Sequence, residues 1–125
     1  MQFLNECVSD LTVGVLAEFN VEGKIAQRST GRIIGLVTRR FQTHQQIDID
    51  TIVTIDVAEI TIHGSTPYAI ISGNAPWQGA DLYATNDGRL SATENGAVIA
   101  QLVPRCLGDE QIDFSDGDTV TVVML

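Results

Sequence analysis

Val53-Thr54-Ile55-Asp56-Val57, inside the segment Thr51–Val57, alternates apolar and polar side chains. Side chains in a strand point to opposite faces with a period of two, so Val53, Ile55 and Val57 share one face and Thr54 and Asp56 the other. The C-terminal segment Thr119-Val120-Thr121-Val122-Val123-Met124-Leu125 reads in the same way. The alternation slips near Ala58-Glu59: the apolar positions before it are odd-numbered, and Ile60 and Ile62 after it are even-numbered. A one-residue slip turns a strand over, which predicts a bulge or bend there, before a further strand over Thr61–Ser72.

Outward from these segments the chain stays rich in strand formers. Val, Ile and Thr number 12, 13 and 12. Such β-branched residues suit a pleated surface and are stiff in helices. The nearest thing to a helical pattern is Phe3, Leu4, Cys7, Val8 and Leu11, which reads as one short helix or a loosely attached arm over residues 1–12. The fold class is therefore all-β.

Sliding the sequence by 65 residues places Gly14 on Gly79, Gly23 on Gly88, Gly31 on Gly96, Ile34 on Ile99 and Arg40 on Arg105. It also places Gln46-Ile47-Asp48 on Gln111-Ile112-Asp113 and Thr54 on Thr119. The match needs no gap between 14–60 and 79–125, which argues for a repeated unit. Each copy starts with a strand (Val13–Asn20; Asp81–Thr85) and turns at Glu22-Gly23 or Asp87-Gly88, where glycine supplies a positive φ. A short strand, a glycine turn, an apolar strand (Arg32–Arg39; Ala97–Val103), a polar loop and the alternating strand complete it. Units of about 60 residues are marginal alone, so the two are expected to share a core. The predicted architecture is one domain over 1–125: a small barrel-like or sandwich body of two tandem β-units with a short N-terminal arm.

Charge and composition exclude several functions. Seven basic against sixteen acidic residues give a net charge of −9, and Lys24 is the single lysine. A phosphate backbone would be repelled, so no nucleic-acid partner is expected. No apolar run approaches the roughly 20 residues of a membrane helix, and the N-terminus lacks a secretion signal, so no membrane partner is expected. Cys7 and Cys106 do not make a disulfide framework. Cys106 aligns with Phe41 and reads as a replacement for an apolar side chain.

Candidate chemistry is sparse. His44 and His63 stand 19 residues apart and read as surface histidines rather than a metal pair. The acidic stretch Asp109–Asp118 lacks the regular calcium-loop spacing, and Asp116-Gly117-Asp118 reads as a turn. No nucleophile elbow, phosphate loop or Cys-x-x-Cys occurs, so no catalytic residue, metal or cofactor is assigned. Arg39, Arg40 and Arg105 end equivalent strands and could pair with the chain's own carboxylates or with an acidic neighbour. Trp77, beside Pro76, reads equally as an interface anchor or a barrel cap.

The order Gly79-Ala80-Asp81-Leu82-Tyr83, Asn86-Asp87-Gly88-Arg89, Gly96-Ala97-Val98-Ile99-Ala100 and Gly117-Asp118-Thr119-Val120-Thr121-Val122-Val123-Met124-Leu125 resembles the small capsid decoration, or cement, proteins of tailed bacteriophages. In the first unit Glu22-Gly23-Lys24-Ile25 and Gly31-Arg32-Ile33-Ile34-Gly35-Leu36-Val37 carry the same pattern. Family members typically carry one such unit, and this chain carries two. The resemblance implies a non-enzymatic virion protein, made in the bacterial cytoplasm, that binds the major capsid protein on the outside of an assembled head, often as a homotrimer. Phe3, Leu4 and Trp77 are the expected contact residues, with the N-terminal arm adding a strand on docking. The alternatives are another virion or tail component, or a carbohydrate-binding β-module, which would want exposed aromatics on one face.

Overall fold

The computed structural model describes residues 1–105 and 111–125. Cys106 and the Asp109-Glu110 part of the acidic stretch lie outside the described residues. Ten strands occur: β1 (Gln2–Glu6), β2 (Leu16–Phe19), β3 (Ile25–Gln27), β4 (Gly35–Asp48), β5 (Thr51–Thr61), β6 (Gly64–Ser72), β7 (Asp81–Ala84), β8 (Leu90–Ser91), β9 (Ala100–Leu102) and β10 (Thr119–Met124). No helix occurs among the described residues, and so none is long and apolar enough to cross a membrane. The fold is all-β, with two five-stranded sheets: one in the order β1-β5-β4-β2-β3, the other a closed barrel in the order β10-β6-β8-β7-β9.

The hairpin β2–β3 recurs 65 residues on. Glu18 faces Ala26 and Phe19 faces Ile25; in β7–β8 Tyr83 faces Ser91 and Ala84 faces Leu90. Leu16 opposite Leu36 and Ala17 opposite Gly35 recur as Asp81 opposite Gln101 and Leu82 opposite Ala100. Both turns are closed alike. The N–H of Asn20 donates to the Lys24 carbonyl at 2.9 Å, and that of Thr85 to the Arg89 carbonyl at 2.9 Å. The side-chain oxygens of Asn20 and Thr85 accept the N–H of Lys24 and of Arg89, each at 3.0 Å. Gly23 and Gly88 sit at φ 79° and 81°, which is why glycine stands there.

In the closing strand the correspondence changes offset. Val37 faces Ile60, whereas Leu102 faces Val122, so β10 matches β5 at an offset of 62. The second copy is three residues shorter between its third and fourth strands. An odd shift exchanges the faces, and parity fits only this offset: Val120, Val122 and Met124 are buried, as are Ala58 and Ile60. The ion pairs agree, since Arg40–Asp56 and Arg105–Asp118 join positions related by 65 on one side and 62 on the other.

The N-terminal arm is a strand. β1 lies antiparallel on β5, with Phe3 opposite Ile60 and Leu4 opposite Glu59. Beyond it, Cys7 bridges Ile25 in parallel, as Ile71 pairs in parallel with Leu90 in the second unit. Thus β1 holds in the first sheet the place β6 holds in the barrel. Cys7 and Leu11 are buried, so the arm is laid into the body rather than hanging free of it, and the helical reading gives way to a strand followed by a loop. The bulge or bend expected in the chain at Ala58-Glu59 is absent: Val53, Ile55 and Val57 point away from the core and Ala58 and Ile60 into it, so the apolar positions change face while the strand does not turn over, and the bulge lies on the partner strand. Thr38 is the extra residue between Val37 opposite Ile60 and Arg39 opposite Glu59, while β5 runs unbroken. In β6 the pair Pro67-Tyr68 faces the single Thr121, and a bulge suits a residue without an N–H.

Two apolar clusters form, and each takes side chains from the other unit. Leu16 and Leu36 of the first unit lie among Ile71, Leu82, Leu90, Leu102 and Val122. Ile70 of β6 packs against Val15, Ile25, Val37 and Ile60. Val15 and Ala17 face one cluster and Leu16 the other, so the chain is buried on both faces from Val15 to Ala17, before Glu18 and the exposed Phe19 end β2. Backbone bonds cross the same seam: Leu16 N–H to the Gly88 carbonyl at 2.7 Å and Ile70 N–H to the Gly14 carbonyl at 2.9 Å.

Candidate functional site

Strand β4 outruns its neighbours. β2 covers it only at Gly35 and Leu36, and β1 covers β5 only from Val57 to Thr61. Beyond these, β4 and β5 continue as a two-stranded ribbon, with Gln42 opposite Asp56, His44 opposite Thr54 and Gln46 opposite Ile52. Its tip is a tight turn: the N–H of Asp50 donates to Asp48 Oδ1 at 2.9 Å, and Ile47 is an extra bulged residue. The Asp50 backbone N–H, followed by the Thr51 hydroxyl, holds the Asp48 carboxyl below the usual carboxylate range. Around it Ile47, Ile49 and Ile52 are 62%, 88% and 67% exposed. The polar run Gln42–Gln46 had read as loop, and it is strand.

The outer face of β1, β5 and β4 also carries apolar groups. Opposed residues of an antiparallel pair share a face, so Leu4, Glu59 and Arg39 lie on one side, continued by Phe41, Val57, Ile55 and Val53. Leu4 and Val53 are exposed, and Arg39 lies 4.8 Å over the Phe41 ring while pairing with Glu59 at 3.3 Å.

On the core side of β1 lies a groove of about 470 Å³ lined by Phe3, Phe19, Arg32, Ile33, Ile34 and Ile62. The Phe3 and Phe19 ring centroids are 6.4 Å apart, inside the range of favourable aromatic pairs. Arg32 is exposed and makes no ion pair among the described residues. Nothing in the spacing of the sequence announced this groove, because its wall is assembled from β1, β2, the loop before β4 and the residue that follows β5.

The structure separates the three expected contact residues. Phe3 faces the groove, Leu4 the outer face, and Trp77 stands half-buried in the loop between β6 and β7. The Trp77 N–H donates to Asp113 Oδ1 at 3.0 Å and its carbonyl accepts from Arg105 N at 2.8 Å. The three arginines each meet a carboxylate of their own chain: Arg39 with Glu59, Arg40 with Asp56 at 3.2 Å and Arg105 with Asp118 at 4.0 Å. His44 Nδ1 contacts Thr54 Oγ1 on the ribbon, while His63 lies past the opposite end of β5, about 30 Å along the strand at ~3.3 Å per residue. Asp113, Asp116 and Asp118 accept backbone N–H groups of Trp77, Gly73 and Ser115 as loop clamps.

Cys7 is a buried free thiol. Desolvation pushes its thiol above the ordinary range, against the pull of Arg40, which also donates to the Leu11 carbonyl at 3.0 Å. Above the ordinary thiol range the unfolded chain has lost a proton that the folded chain keeps, so stability falls as pH climbs toward the raised value. Urea titrations at rising alkaline pH should show this loss, and Cys7→Ala should flatten it. An equal slope in Cys7→Ala would remove Cys7 as the cause.

No family model matches the chain, and neither does any curated protein or any solved structure.

Proposed function

We propose that the chain is a structural virion protein that binds the outside of an assembled tailed-phage head and stabilises the shell without catalysis. Its partners are the major capsid protein and further copies of itself, in a homotrimer, and it resides on the capsid surface. The observation that carries this reading is the outer face of β1, β5 and β4, where Leu4 and Val53 are exposed, Phe41, Val57 and Ile55 lie half-buried between them beside the Arg39–Glu59 pair, and the face continues onto the uncovered ribbon. An isolated two-stranded ribbon is at best marginally stable in water, and contiguous exposed apolar surface marks an interaction site. Two interlocked copies of one β-unit supply a stiff base for it. The glycine-turn pattern shared with decoration proteins supports the same assignment.

Empty heads of the phage that encodes the chain should carry it into the pellet in saturable amounts on sedimentation. Leu4→Asp combined with Val53→Asp should weaken that binding at least tenfold while leaving the far-ultraviolet spectrum unchanged. A chain that stays in the supernatant at all concentrations would overturn the reading.

A further inference from the structure

The apolar ribbon tip and the apolar groove lie at opposite ends of one strand pair. Ile33, Ile34 and Ile62 wall the groove at the base of β4 and β5, and Ile47, Ile49 and Ile52 crown the tip. From Gly35 to Asp48 the strand advances about 40 Å at ~3.3 Å per residue, so a chain's own tip cannot reach its own groove. The charges are complementary. Asp48 and Asp50 flank the tip, and no lysine or arginine occurs between Arg40 and Arg89. The groove holds Arg32, which has no acidic partner among the described residues.

We propose that the ribbon tip of one copy inserts Ile47, Ile49 and Ile52 into the Phe3–Phe19 groove of a second copy, with Arg32 meeting the Asp48–Asp50 turn. Donor and acceptor are different surfaces, so the contact is head-to-tail: three copies close a ring, and a contact whose rotation does not close runs on as a filament. Burying three isoleucines in a concave apolar site removes from water the surface least suited to it, and the cation fixes which end of the partner enters. Phe3 thus serves contact between copies, whereas Leu4 on the opposite face of β1 stays free for the shell. The inference deepens the self-association part of the proposed function and stands without its capsid part.

The test needs no heads. Sedimentation velocity over a concentration series compares the wild type, a tip variant (Ile47→Ser, Ile49→Ser, Ile52→Ser) and a groove variant (Phe19→Asp). The wild type should assemble, and each variant alone should remain monomeric. An equimolar mixture should give a one-to-one dimer and nothing larger, because only one intact tip and one intact groove remain in each pair. Arg32→Glu, at an exposed position, provides a second groove variant if Phe19→Asp does not fold. It should weaken assembly at least tenfold, and Asp50→Arg in the same chain should restore part of the loss. A wild type that remains monomeric, a variant that assembles unaided, or a mixture that stays monomeric would overturn the head-to-tail contact. A monomeric wild type that still pellets with heads would sink this contact and leave shell binding intact.

Discussion

Leu16→Ala is expected to destabilise the protein by about 2–5 kcal/mol, the usual cost of removing a fully buried leucine and leaving a cavity. Leu16 belongs by sequence to the first unit, yet its side chain is fully buried in the cluster of the second, beside Leu82, Leu90 and Val122. The damage should therefore appear away from β2. Amide exchange should quicken at Leu82, Leu102 and Val122, and urea unfolding should stay a single transition with a lower midpoint. Loss of protection confined to the first sheet would show that the two units fold independently.

Gly14→Ala is the second large effect. Gly14 has φ 97°, a conformation costing an alanine about 1–2 kcal/mol. A Cβ there would also collide with the Tyr68 carbonyl and come within 2.9 Å of Ile70 Cγ1. The backbone has no room to yield, because the Gly14 N–H donates to the Val37 carbonyl at 2.8 Å while its own carbonyl accepts from Ile70 N. Overpacking adds about 1–3 kcal/mol, so a total near 3 kcal/mol is expected. Gly23→Ala separates the two terms, since Gly23 has φ 79° but nothing within 4 Å of the added carbon. It should cost only about 1 kcal/mol. Equal losses in the two variants would refute the close approach of β2's entry to β6.

These two sites show what the sequence carries and where it falls silent. The hairpin glycines were legible because turn chemistry is local, and a positive φ at Gly23 and Gly88 needs only the neighbours on either side. The 65-residue recurrence followed from them. The change to an offset of 62 in β10 was legible in principle from the parity of Val120, Val122 and Met124, but matching Thr54 to Thr119 masked it. The far half of β4 was not legible. Gln42–Gln46 faces solvent on both sides, so no hydrophobic period marks it, and its strand character comes from pairing with Asp56–Ile52. β1 was misleading, since Phe3, Cys7 and Leu11 imitate a helical stripe when a strand is followed by a loop. The groove was invisible because its residues lie up to 59 positions apart and meet only when the first sheet curls.

The three expected contact residues belong to different surfaces. Phe3 and Leu4 are adjacent in sequence and point to opposite sides of β1, so one strand serves two surfaces. The Trp77 backbone is tied into the second unit by Asp113 and Arg105.

The most direct test of the proposed role is the heat disruption of empty heads, followed by light scattering, with and without saturating amounts of the protein. A cement protein must raise the disruption temperature of the heads it coats, and Leu4→Asp with Val53→Asp must abolish the increase at the same concentration. Heads that bind the protein to saturation yet fall apart at an unchanged temperature would contradict the stabilising role.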